Sequence, residues 1–192
     1  MCCGGFKGIR KFIWLLVAAL VIMAGIHFAL EFFCPSSYTV VIDKYSAEYG
    51  LDRALVYSLI FAESKFDSEA VSSAGAKGLM QVMDATAEQV AAELGIHDFR
   101  EDMMFDPEVN VRLGCYYLSG LIARYDGDIE LTLAAYNAGM GRVGEWLRDS
   151  RYSADGRKLD HIPFSETRDY VRKVQRNREF YKVLLWLNDL IR

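Results

Sequence analysis
Residues 12–30 read FIWLLVAALVIMAGIHFAL, nineteen positions without a formal charge. A helix of that length covers about 30 Å, roughly what crossing a bilayer core requires. Lys7, Arg10 and Lys11 precede the run with no acid among them, whereas Glu31, Asp43 and Glu48 follow it against Lys44 alone. Basic flanks stay on the cytoplasmic side, so the spacing predicts a single-pass membrane anchor with the remaining chain outside the cell. A cleaved signal peptide is the alternative. The run is longer than the usual signal core, and no small-x-small site closes it; Cys34 follows Glu-Phe-Phe, unlike a lipoprotein cleavage site. The expected organisation is a short cytoplasmic segment (1–11), an anchor (12–33) and one external domain (34–192).

The external part carries 19 basic and 25 acidic residues, which argues against a nucleic-acid binder. Its charge is uneven, with 11 basic and 7 acidic residues in 146–192. Such a basic segment can meet anionic wall polymer or lipid headgroups, or simply be the solvated face of two helices. Four cysteines (2, 3, 34 and 115) have neither metal-ligand spacing nor a disulfide pattern. Cys2 and Cys3 belong on the reducing side, Cys34 at the outer membrane boundary, and Cys115 in a core.

The external part reads as mainly α. Asp52 is an N-cap for 53–66, Asp84 starts a helix that ends at Leu94–Gly95, and Asp106-Pro107 opens one to about Tyr125. Asp128 caps another to about Asn137, a Gly-rich turn follows (Gly139, Gly141, Gly144), and two helices fit 165–177 and 179–191, the first capped by Ser165. There is room for a small β-hairpin near 69–82.

Four segments carry groups suited to chemistry. Glu63 ends an apolar stretch, Leu59-Ile60-Phe61-Ala62, where desolvation would raise its pKa toward the range of a general acid; a lone glutamate at a helix end is otherwise simply solvated. In SSAGAKGLMQVM (72–83), Gly75 and Gly78 permit close backbone approach, Gln81 offers a donor and an acceptor, and Met80 and Met83 offer soft apolar surface. In AAYNAGMGRV (134–143), Tyr136 and Asn137 leave a helix for the turn. In IPFSETRDYV (162–171), Glu166 sits in a first helical turn, where the helix dipole also suits it.

In series, Glu63-Ser64, Gly78-Leu79-Met80-Gln81, Ala135-Tyr136-Asn137-Ala138-Gly139 and Glu166-Thr167-Arg168-x-Tyr170 resemble the soluble lytic transglycosylase catalytic domain over roughly residues 38–185. The resemblance implies a lysozyme-like α-helical fold whose groove takes peptidoglycan glycan strands. The implied reaction cleaves the β-1,4 bond between N-acetylmuramic acid and N-acetylglucosamine and leaves a 1,6-anhydro end, with no metal or organic cofactor. Glu63 then matches the single catalytic acid/base. Ser72 matches a substrate-contacting serine, Gln81 and Met83 groove-lining residues, and Asn137 the neighbour of Tyr136. Tyr136 matches the tyrosine whose hydroxyl positions the catalytic carboxyl, and Glu166 an acid at the groove's end. Met140 departs from the pattern, where proline would be expected after Asn-Ala-Gly. A hydrolytic muramidase on the same fold and a non-catalytic, membrane-tethered wall-binding protein are the competing readings.

Overall fold
The computed structural model describes residues 4–191; Cys2 and Cys3 lie outside the described residues. The chain divides into two compact units at Ser36–Ser37. The first unit is dominated by helix α1, Gly4–Phe33. Within Ile9–Phe33 an 18-residue stretch has a mean hydropathy of 2.5 and is not buried, so this helix is long and apolar enough to cross a membrane.

The second unit is helical. After α2 (Ser36–Glu48) come α3 (Arg53–Glu63), α4 (Asp84–Glu93), a 3-10 turn (Glu101–Phe105), α5 (Pro107–Arg124), α6 (Ile129–Ala138), α7 (Met140–Arg148) and α8 (Ser165–Ile191). The starts follow local chemistry. Asp52, Asp106 and Asp128 each accept backbone N–H groups of the first turn, and Pro107 occupies the first turn of α5, where its missing donor costs nothing.

Four expectations change. The helix from Asp52 stops at Glu63 rather than Phe66, because Lys65 and Phe66 turn into the left-handed region (φ 54° and 66°). Of the glycines after Asn137, only Gly139 makes the turn (φ 88°). Gly141 and Gly144 lie inside α7, which packs by burying Val143 and Trp146. The two helices expected over 165–177 and 179–191 are one, because Arg178 and Glu179 supply no breaker, and buried Val174, Tyr181 and Leu185 keep one face on the core. Ser165 is the first residue of α8 rather than a flanking cap. Near 69–82 the chain makes a tight turn with two isolated bridges, Val71–Lys77 and Lys77–Val82.

The core of this unit centres on α3, whose residues 54–60 are all buried. It is clasped by α8: Arg178 Nε meets the capping carboxylate of Asp52 at 2.6 Å, and Tyr57 packs against Tyr181 with ring centroids 5.7 Å apart. Cys115 is fully buried on α5 and behaves as a small apolar residue; burial pushes its thiol pKa up.

Candidate active site
Glu63 is the last residue of α3. The two left-handed residues after Ser64 swing the chain away, so the carboxyl faces the space the following loop leaves open. Ser64 anchors that loop by donating its hydroxyl to the Leu79 carbonyl at 2.8 Å.

The loop is held by a residue that sequence reasoning passed over. Asn110 on α5 is completely buried, and every arm of its amide is used. Its Nδ2 donates to the Lys77 and Met104 carbonyls, both at 2.9 Å, and its Oδ1 accepts the Met80 N–H at 2.8 Å. Gly78 has φ +74° and lies so close to Asn110 and the Met104 carbonyl that no Cβ fits there. Gln81 also sits at positive φ (47°) and donates from Nε2 to the Ala70 and Gly78 carbonyls, each at 3.0 Å. The sequence neighbourhood of Asn110, with Glu108 and Arg112 around Val109-Asn110-Val111, does not mark it out; only the folded chain shows a buried, fully hydrogen-bonded amide.

A cleft of about 290 Å³ opens at Glu63. It is lined by Glu63, Ser72, Gln81, Met83, Tyr136, Asn137 and Glu166, so the fold brings all seven residues singled out in the sequence to one place. Gln81, Met83, Tyr136 and Asn137 also border a second hollow of about 230 Å³ that reaches Thr86, Tyr117 and Gly139, which extends the cleft into a groove. Within the loop, the Ser72 hydroxyl accepts the Ala76 N–H at 3.0 Å.

The expected partner of the carboxyl is different. Tyr136 donates its hydroxyl to the Met80 carbonyl at 2.8 Å, not to Glu63. The hydroxyl on Glu63 belongs to Tyr170 of α8, at 2.6 Å from Oε1. Tyr136 comes from the end of α6, where the buried backbone carbonyl of Met80 claims its single proton; Tyr170 lies one turn beyond Glu166, and α8 packs on α3. Lys173, one further turn along α8, donates to the Ala62 carbonyl at 2.9 Å. Burial pushes the Glu63 pKa up to about 7, outweighing the Tyr170 hydrogen bond and the Lys173 charge, which both pull it down. Burial likewise holds the Tyr136 and Tyr170 phenols well above their ordinary pKa, so both are neutral donors.

This arrangement offers a neutral-range acid at the wall of a groove rich in hydroxyl and amide groups. The sequence model of the Transglycosylase SLT domain matches residues 40–158. The chain belongs to this family. It is 32% identical over 150 residues to the soluble lytic murein transglycosylase of Salmonella typhimurium, covering 77% of this chain and 23% of that protein. It is 36% identical over 148 residues to a membrane-bound lytic murein transglycosylase F of Desulfosudis oleivorans, with 73% and 29% covered. An inactive glutamate-to-glutamine mutant of the lytic transglycosylase Slt from Pseudomonas aeruginosa matches in structure with a TM-score of 0.70 and 34% identity, over 81% of this chain and 25% of that one. The SLT chain described here thus spans about a quarter of the length of these relatives. Its domain has their mainly α, lysozyme-like fold. Glu166 and Tyr170 fall beyond the matched segment, although the fold returns both to the site: Glu166 lines the cleft and Tyr170 bonds Glu63.

Proposed function
We propose that this protein is a membrane-anchored peptidoglycan lytic transglycosylase with Glu63 as its single acid/base. The observation that carries the reading is the Glu63 carboxyl, raised to about 7 by burial yet lining an open groove. Such a group is protonated often enough to donate and ionised often enough to retrieve a proton. Two-carboxylate glycosidases need a second acid as nucleophile or base. The other carboxylate lining this cleft, Glu166, is exposed on the first turn of α8 and suits substrate binding.

In the proposed reaction Glu63 protonates the glycosidic oxygen as the bond to the muramyl anomeric carbon breaks. The substrate's acetamido oxygen stabilises the cationic centre. The muramyl 6-hydroxyl then attacks that carbon while Glu63 takes its proton, closing the 1,6-anhydro ring. Attack within one sugar unit has a high effective concentration and needs no positioned water. Ser72, Gln81, Met83, Tyr136 and Asn137 form the groove around the sugars. With Nε2 of Gln81 engaged by backbone carbonyls, its Oε1 is the group left to accept from a sugar hydroxyl or amide. Tyr170 orients the Glu63 carboxyl.

Mass spectrometry of muropeptides released from purified peptidoglycan by the detergent-solubilised protein tests this. Anhydromuramyl ends are expected. Reducing ends, heavier by one water, would make the protein a hydrolase, and wall binding without release would make it a binding protein.

The anchor is part of the reading: residues 12–33 cross the membrane once, 1–11 stay inside and 34–192 face the wall. The charge-free helix and its basic flank support this orientation. Protease added to intact protoplasts should digest the domain, and protection of it would reverse the topology.

A further inference from the structure
We propose that the C-terminal half of α8 docks on the outer lipid surface of the membrane that α1 enters, laying the domain against the bilayer; this rests on the anchor reading above. Val183, Trp186, Leu187 and Leu190 are 59%, 61%, 42% and 65% exposed. Their spacing (i, i+3, i+4, i+7) puts them on one stripe. The core-facing side of the same turns is elsewhere: Tyr181 and Leu185 are 0% and 5% exposed and lie on the opposite side of the helix. This segment is therefore apolar on two faces, although packing within the domain uses only one.

The stripe has the composition of an interfacial helix. Tryptophan and leucine bury into the headgroup boundary, and basic residues meet anionic headgroups. Toward the N-terminus the stripe becomes charged and mixed, with exposed Arg172 and Arg176 beside exposed Asp169 and Glu179, so its apolar C-terminal turns carry the fit.

Its place in the domain fits that occupant. Asp189, on the last turns of α8, holds Arg53 Nη1 at 3.1 Å, and Arg53 Nε meets Asp43 of α2 at 3.0 Å. The last turns of α8 are thus tied to α2 through Arg53. One turn before Asp43, Val40 is 78% exposed, a further apolar group on the helix that opens the domain. Only Cys34 and Pro35 separate α1 from α2, a link of about 3.3–3.6 Å per residue at full extension. The chain therefore arrives from its apolar helix at the element to which the stripe is tied. A soluble partner or a second copy would explain the apolar stripe but not this location.

The test uses the full chain carrying Trp14→Phe, which leaves Trp146 in the core and Trp186 on the stripe. It is reconstituted into vesicles of phosphatidylcholine and phosphatidylglycerol, three to one, with and without acyl chains brominated near the headgroup, and floated on a gradient. Brominated lipid should quench part of the emission, and the quenching should vanish in Trp14→Phe/Trp186→Phe. It should also fall in Trp14→Phe/Val183→Asp/Leu187→Asp, whose added charges sit at exposed positions and spare the core. Flotation without Trp186 quenching, including a blue-shifted but unquenched Trp186 buried against a second copy, overturns the docking and leaves the anchor standing. Quenching that survives the two aspartates overturns it as well. Failure to float overturns the anchor reading and the docking with it.

Discussion

Tyr170 Oη donates to Glu63 Oε1 at 2.6 Å, across 107 positions of sequence. The bond stabilises the ionised carboxylate and so opposes the upward push of burial. Tyr170→Phe removes the donor and should raise the Glu63 pKa further. Because the proposed first step needs the protonated acid, the alkaline limb of the pH-rate profile should move to higher pH. Tyr136→Phe, which deletes a bond to the Met80 carbonyl instead, should move that limb less. A larger shift in Tyr136→Phe than in Tyr170→Phe would reverse these roles.

Glu63→Gln should lower turnover on peptidoglycan by about 10²–10⁴-fold or more, since the amide can neither give nor retrieve the proton. Substantial residual turnover by the purified variant would remove Glu63 from its role.

The same substitution should stabilise the fold at alkaline pH. The Glu63 pKa is raised from 4.5 to about 7 in the folded state. Between those values the native state binds more protons than the unfolded chain, so this group makes stability fall as pH rises from about 4.5 through 7. Glutamine has no charge to bury. Thermal melts should show a Tm gain of Glu63→Gln over the parent at pH 8 that shrinks toward pH 4; an equal gap at both pH values would contradict the buried-charge account.

Asn110→Ala strands the Met104 carbonyl and the Met80 N–H and leaves the Lys77 carbonyl with the Val82 N–H alone. An unpaired buried polar group costs about 1–3 kcal/mol. Two such groups together cost about 2–6 kcal/mol, and at about 2–4 °C per kcal/mol for a chain of this size a Tm drop of about 4–24 °C is expected, with activity lost alongside as residues 78–81 loosen. A melting curve superimposable on the parent's would show that the amide does not hold the loop.

Gly78→Ala and Gly75→Ala should separate. Both glycines have positive φ, and a side chain there costs about 1–3 kcal/mol in backbone strain. At Gly75 an added Cβ meets nothing within 4 Å, whereas at Gly78 it collides with Asn110 and the Met104 carbonyl. The urea midpoint should therefore fall further for Gly78→Ala, and equal midpoints would rule out the collision.

What the sequence by itself determined is local. An aspartate two or three residues before an N–H it can accept makes a cap wherever it stands, so Asp52, Asp106 and Asp128 marked their helices correctly. The apolar run 12–30 specified a continuous helix through composition alone. Glu63 could be singled out because an acid ending an apolar stretch, followed in order by three further motifs, is a chemical pattern read along the chain. Tertiary structure decided whatever depends on which groups compete for one partner. Tyr136 and Tyr170 both stand in quoted motifs, yet each hydroxyl has one proton to give, and the packing of α6 against the loop and α8 against α3 sends one to Met80 and the other to Glu63. Likewise Gly141 and Gly144 read as turn because glycine disfavours helix, a weak local preference that burial of Val143 and Trp146 overrides, whereas nothing at Arg178–Glu179 opposes a helix and burial of Tyr181 and Leu185 carries it through. Asn110 carried no visible motif, since its function is to satisfy backbone groups of the Lys77–Met80 loop and Met104, which only the folded chain brings to it.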